Sequence, residues 1–141
     1  MLMGISPLLS PDLLHLLASM GHGDEIALVD ANFPAATHTR RLVRLSGVSA
    51  PWALEAVLSV LPLDDGPRAP TCTMQVVGDA NAVPEAVREL TAVLARSGHV
   101  APESLERFAF YDRAAKAFGV VATGELRPYG NILLRKGVVR P

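Results

Sequence analysis

The chain predicts an α/β domain in which a sheet is covered by helices on both faces. Three observations carry that reading. Helix-period segments alternate with strand-like segments almost throughout. The best strand-like segment, "EIALVD", is apolar on both of its faces, which suits a sheet buried on both sides. The 141 residues fit one domain spanning 1–141, because two halves of that length would be too small for good cores.

The elements follow in order. Ser10 is a good N-cap for "PDLLHLLASM", Pro11 suits the first helical position, and Asp12 complements the helix dipole. Leu13, Leu16, Leu17 and Met20 recur at helical spacing, and Gly21 offers a left-handed stop. "EIALVD" is then a buried strand. "ANFPAATH" reads as a loop with Pro34 as breaker, and "RLVRLSG" as a second strand. Ser49 caps a helix running to about Leu61, with Leu54, Val57, Leu58 and Leu61 on one face and Pro62 ending it. "PLDDGPRAP" is an exposed turn region, and "TCTMQVVG" a third strand. Pro84 opens a helix with Val87, Leu90 and Leu94 in register, closed by Gly98. "PESLERFAFYDRAAKAFG" reads as one further helix. Its stripe is Leu105, Phe108, Tyr111, Ala115 and Phe118, with Asp112 and Lys116 placed to pair at i,i+4. "VVATGE" is a short strand, "LRPYGN" a turn, and "NILLRKGVV" the last strand.

Composition excludes several function classes. Lys and Arg total 13 against 14 Asp and Glu, so there is no basic surplus for a nucleic-acid partner. The apolar runs stop well short of the ~20 residues a membrane span requires. "MLMGISPLLSP" has no basic segment ahead of its apolar residues, so no signal peptide is expected and the expected compartment is the cytoplasm. Cys72 is the one cysteine, which rules out an intramolecular disulfide or a thiolate metal cluster and predicts a buried, inert thiol. Neither G-x-G-x-x-G nor G-x-x-x-x-G-K-[ST] occurs, which argues against a nucleotide cofactor. Half of the residues are apolar and few are charged, so a homo-oligomer is expected.

Three constellations can carry chemistry. His22 sits between two glycines, directly before a strand that ends in Asp30. It is either a proton carrier held in a glycine turn or part of a plain helix stop. "RPYGN" sets a phenol and a carboxamide, Tyr129 and Asn131, around Gly130, a combination that can donate to and accept from a polyol. Its bland reading is an ordinary turn. Because a turn contributes little core, Tyr129→Phe and Asn131→Ala are expected to weaken catalysis or sugar binding without large loss of stability. Arg107 lies among aromatics in "ERFAFY"; guanidinium forks grip vicinal oxygens, and aromatic faces suit sugar C–H patches. It is otherwise a surface arginine on an amphipathic helix. His15, His38 and His99 carry no such context. His22, Asp24, Asp30 and His38 offer ligand types but no compact metal-binding spacing, so no metal is expected.

The pieces "GISPLLSPDLLHLLASMGHGDEIALVDANFPA", "RFAFYDRAAKAF", "TGE" and "YGNILLRKG" together resemble the D-ribose pyranase/L-fucose mutarotase family, and more closely its fucose branch. The resemblance implies a mixed sheet between helices, ring-shaped oligomers that are typically decamers, and neither metal nor organic cofactor. It implies interconversion of α and β anomers, with L-fucose the expected sugar. Ribose pyranase activity, or a sugar-binding or regulatory module without turnover, are the alternatives. It further implies that His22 is the catalytic acid/base, with Tyr129 a possible second. Asp30, Arg107, Tyr129, Gly130 and Asn131 then hold the sugar. On that reading His22 and Asp30 form one wall of the pocket, and Asp30 either orients His22 or grips a hydroxyl. The slot for the fucose methyl is expected from the aromatic-rich "RFAFY" segment, Phe108, Phe110 and Tyr111, with Trp52 or Phe33 as further contributors.

Overall fold

The alternating local signals become eleven elements in the computed structural model, which describes residues 1–141. In chain order they are α1 (Pro11–Ser19), β1 (Glu25–Val29), α2 (Ala35–His38), β2 (Leu42–Leu45), α3 (Ala50–Leu58), β3 (Thr71–Met74), α4 (Glu85–Arg96), β4 (Glu103–Leu105), α5 (Arg107–Lys116), β5 (Gly119–Thr123) and β6 (Ile132–Arg135). The strands form one six-stranded sheet in the order β2-β5-β1-β6-β3-β4. Neighbours pair parallel except at β6, which runs antiparallel to both β1 and β3. The sheet is therefore mixed, with five strands running one way and β6 alone running against them near the centre.

Strand alternation divides the core between the two faces. Ile26 and Leu28 of β1 join Leu13, Leu54 and Leu90 under α1, α3 and α4. Ala27 and Val29 join Phe110 and Ala114 of α5 and Ala35 of α2 on the opposite face. This is the expected three-layer α/β arrangement. Ser10 caps α1 by accepting from the Leu13 N–H at 3.3 Å, and Ser49 caps α3 by accepting from the Trp52 N–H at 3.5 Å. The Cys72 thiol is buried, and burial pushes its pKa up, as an inert core thiol requires.

Four local expectations are corrected. "ANFPAATH" is not all loop, because Ala35–His38 make one helical turn directly after Pro34. The helix after Ser49 stops at Leu58, short of Leu61, although the Leu61 N–H still reaches Val57 O at 2.9 Å. Met20 ends α1 in an extended conformation, and the left-handed glycine of that turn is Gly23 (φ 85°), not Gly21. The segment 102–119 is not one helix. The Glu106 carboxylate accepts from the Phe108 and Ala109 N–H groups at 2.8 and 3.2 Å, so the helix starts at Arg107. The residues before that cap extend beside β3 as β4.

The buried stripe of α5 is accordingly Phe110 and Ala114, four apart, while Phe108 is 60% exposed. Asp112 and Lys116 do not pair; Arg113 instead forms an ion pair with Glu25 and donates to the Cys72 sulfur at 3.0 Å. Phe110→Ala is thus expected to cost about 3–5 kcal/mol in urea unfolding. Phe108→Ala should stay within about 0.5 kcal/mol.

Candidate active site

The C-terminal ends of the five co-directional strands share one edge of the sheet, where α/β folds bind ligands. Asp30 follows β1, Met74 ends β3, and Arg107 opens α5 just after β4. Asn131 precedes β6, and the reversed course of β6 brings its first residue to the same edge, with Ile132 opposite both Leu28 and Thr73. These four residues line a cavity of ≈ 240 Å³ together with Asn32, Phe33, Tyr111, Pro128 and Tyr129.

Asp30 is buried at 6% exposure. Its N–H donates to Asn131 Oδ1 at 2.8 Å, and its Oδ1 accepts from the Asn32 N–H at 2.9 Å. Burial raises its carboxyl above the usual range, and the nearby charge of Glu125 adds to this; hydrogen bonds from Asn32, Asn131 and Phe33 oppose it. Arg107 makes no ion pair, and its buried Nε has no hydrogen-bond partner within the chain. The guanidinium lies 4.8 Å from the Phe108 ring centroid. It is a half-buried cation with donor capacity left for a ligand. Phe33 and Tyr111 stand edge to face, 5.3 Å between centroids, and give the cavity an apolar wall.

The 129–131 turn is strained and held from behind. Tyr129 is the one non-glycine residue with positive φ, at 62°, a conformation costing roughly 1–2 kcal/mol. Its phenolic oxygen accepts from the Val77 N–H at 3.2 Å, which leaves its own O–H free to donate. A Cβ on Gly130 would lie 2.6 Å from Cγ of Glu125, so only glycine lets the turn close onto that side chain. Glu125 is itself 4% exposed. It accepts from Arg127 Nε at 2.9 Å and from the Ala50 N–H at the start of α3 at 3.3 Å. Hydrogen bonds from Arg127 are the main cause that lowers its pKa from 4.5 to about 2. The Glu125 carbonyl also accepts from the Ala31 N–H at 2.9 Å, tying this support to the Asp30 loop.

Asp30, Arg107, Tyr129 and Asn131 thus come together, and Gly130 acts by having no side chain. His22 does not join them. It precedes β1 while Asp30 follows it, so the length of the strand, roughly 17 Å, separates the two. His22 and Asp30 are not one wall of a pocket within a single chain, and Asp30 does not orient this imidazole. His22 instead meets Asp64 at 3.4 Å. Phe110 is in the core and Phe108 and Trp52 are largely exposed; none of the three lines the cavity, whereas Phe33 does. His38 backs the cavity wall, its ring tilted against Phe33 and Tyr111 with centroids 5.4 and 5.3 Å away. No three His, Cys, Asp or Glu side chains converge as metal ligands would. Of the "RFAFY" aromatics only Tyr111 lines the cavity, and sequence reasoning missed Met74 and Glu125 as parts of the site. For Glu125 the available signal was a carboxylate two residues ahead of an arginine, immediately before the "PYGN" turn.

One carboxylate balanced by one guanidinium, with a phenol, a carboxamide and aromatic faces, suits a small neutral polyhydroxylated ligand rather than a phosphate ester. An α/β domain with a sugar-sized polar cavity at its sheet edge is the class that fold and site define. The model of the RbsD / FucU transport protein family matches residues 3–139, and the chain belongs to that family. It is 48% identical over 141 residues to an L-fucose mutarotase of Glaesserella parasuis, covering 98% of this chain and 96% of that protein. It is 47% identical over 145 residues to the fucose mutarotase of Homo sapiens, covering 98% of this chain and 94% of that one. The crystal structure of the fucose mutarotase in complex with L-fucose from Streptococcus pneumoniae superposes with a TM-score of 0.92 at 40% identity, covering 99% of this chain and 100% of that one.

Two stability predictions follow from the support of the turn. The lowered Glu125 pKa contributes stability that is present above pH 4.5 and lost as pH falls towards 2, about 3 kcal/mol in all. Glu125→Gln should therefore flatten the fall of Tm between pH 5 and 2. Asn131→Ala strands the buried Asp30 N–H and should cost about 1–3 kcal/mol in urea unfolding. The expectation that the turn contributes little to the interior fails at Asn131, which is 2% exposed.

Proposed function

We propose that the chain is a fucose mutarotase that interconverts the α and β anomers of L-fucose by acid/base-assisted ring opening. The observation that carries this is the charge-balanced cavity of Asp30, Arg107, Tyr129 and Asn131, in a chain whose relatives bear that name across their whole length. Asp30, Arg107 and Asn131 grip hydroxyls, and Phe33 and Tyr111 face the apolar side of the sugar and its C5 methyl. A base takes the O1 proton, the C1–O5 bond breaks as C1=O1 forms, and an acid protonates O5. The C1–C2 bond rotates, and closure reverses the two proton moves. The sequence of steps uses no electrons, phosphate or metal. Positioned acid–base groups supply roughly 10²–10⁴-fold, enough for a reaction that already proceeds slowly in water.

His22 and Tyr129 are the proton carriers in this reading. Tyr129 has its O–H free beside the cavity. His22, 61% exposed at the opposite sheet edge, serves the cavity of a neighbouring copy. Self-association is then part of the catalytic design, and the ring-shaped decamer implied by the family resemblance is the assembly we propose. The free thiol of Cys72 fits the reducing cytoplasm as its compartment. The distance of His22 from the cavity also favours a second reading, a sugar-binding module without turnover.

Saturation transfer between anomeric protons separates the two. L-fucose should show enzyme-dependent exchange, exceeding that of D-ribose by roughly 10–200-fold, the worth of one methyl in an apolar slot. His22→Ala should abolish the exchange without unfolding the protein. Shifts or broadening without exchange would leave only the binding module, and faster exchange of ribose would move the chain to pyranase activity.

A further inference from the structure

We infer that Asp64 is a positioning residue that holds the His22 imidazole in one tautomer; the inference rests on the reading of His22 as a proton carrier. The two residues are 42 apart in sequence, yet His22 Nε2 lies 3.4 Å from Asp64 Oδ1. Their environments are opposite in kind. The imidazole is 61% exposed, while the carboxylate beside it is 14% exposed. An exposed histidine ordinarily has water for company, so a largely buried carboxylate at its back requires construction.

The construction is a shared stretch of backbone, residues 135–137, which begins at the last residue of β6. The Gly23 N–H donates to Lys136 O at 2.9 Å, and the Lys136 N–H donates to Asp24 O at 2.9 Å. From the other side, the Asp64 N–H donates to Arg135 O at 3.0 Å, and the Gly137 N–H donates to Pro62 O at 2.8 Å. The His22 turn is therefore clamped to Lys136 and the Asp64 turn to its two neighbours, Arg135 and Gly137. The second clamp needs close approach, since a Cβ on Gly137 would lie 2.4 Å from Leu63 O. Asp64 Oδ2 is occupied by Arg135 Nη1 at 3.4 Å, and Arg135 is backed by Glu25 at 3.7 Å. That leaves Oδ1 for the imidazole.

The other charged groups of this edge are engaged elsewhere. Asp24 Oδ2 accepts from the Gly21 N–H at 2.7 Å, and Lys136 Nζ donates to Gly137 O at 3.3 Å. Asp64 is the carboxylate that meets the ring. An imidazole whose Nε2–H donates to a fixed carboxylate keeps its lone pair on Nδ1. Nδ1 is then the nitrogen presented outward, to a second copy and its sugar.

The test is the ring tautomer of His22, read from its ¹⁵N shifts in the intact protein, together with exchange rates. In the unaltered chain, neutral His22 should carry its proton on Nε2. Asp64→Asn should release the ring into a mixture of tautomers and lower fucose exchange roughly tenfold or more, inside the range that acid–base assistance supplies. The loss should fall on kcat more than on KM, because Asp64 acts through the imidazole and leaves the hydroxyl-gripping residues Asp30, Arg107 and Asn131 untouched. A neutral His22 protonated on Nδ1 in the unaltered chain would overturn the inference whether or not the variant folds. A folded Asp64→Asn with the same tautomer and full exchange would also overturn it. Undiminished exchange in His22→Ala is a different outcome, which removes the proton-carrier reading itself.

Discussion

The hydrogen bond from the Asp30 N–H to Asn131 Oδ1, 2.8 Å long and spanning 101 residues of sequence, is the contact on which the site depends. It joins the end of β1 to the start of β6, and it exists because β6 runs against its neighbours. A parallel strand in that position would enter the sheet from the opposite edge and carry Tyr129, Gly130 and Asn131 away from Asp30. The reversal also decides what happens at the other end. As β6 leaves the sheet, Lys136 emerges beside the His22 turn and bonds it through its N–H and its carbonyl, while Arg135 and Gly137 bond the Asp64 turn. One antiparallel strand thus organises both the candidate sugar cavity and the setting of the candidate proton carrier.

The cavity is built by balancing costs. Tyr129 sits in a left-handed conformation that a tyrosine does not adopt for free. The neighbouring contacts hold it there: Val77 on its phenol, Glu125 against Gly130, and Asn131 on the Asp30 backbone. Glu125 is a buried carboxylate, tolerable because Arg127 and the first turn of α3 supply donors. Asp30 has no cation hydrogen-bonded to it, and burial raises its carboxyl rather than lowering it. The one cationic residue lining the cavity is Arg107, whose Nε is buried without a partner. A ligand rich in hydroxyl groups satisfies both residues at once.

Much of this was legible in the sequence. Ser10 and Ser49 announced their helices, the leucine spacing of α1 and α4 named the core face, and "EIALVD" declared itself a strand buried on both sides. These signals are local, and local chemistry decides them. β4 was not legible, because three exposed or half-buried residues beside β3 carry no period, and a glutamate cap is a weaker mark than serine. The α5 stripe was misread for the same reason, since the register follows from where the helix starts. The residue types of the site were also visible, but not their arrangement. His22 and Asp30 flank one strand, so nearness in sequence suggested nearness in space. An extended strand does the opposite and holds its two ends as far apart as its length allows. The bond between Glu125 and the α3 terminus, and that between Asp64 and His22, join residues 75 and 42 apart, and no single-sequence pattern marks such pairs.

The central claim is that a complete site takes its cavity from one copy and His22 from another. Co-expressing His22→Ala with Asp30→Asn tests it most directly, with fucose anomer exchange as the readout. Each variant alone should lack exchange. Assemblies shown by native mass spectrometry to contain both should regain it, because some sites then pair an intact cavity with an intact His22. Mixed assemblies that remain as inactive as either parent would contradict the claim.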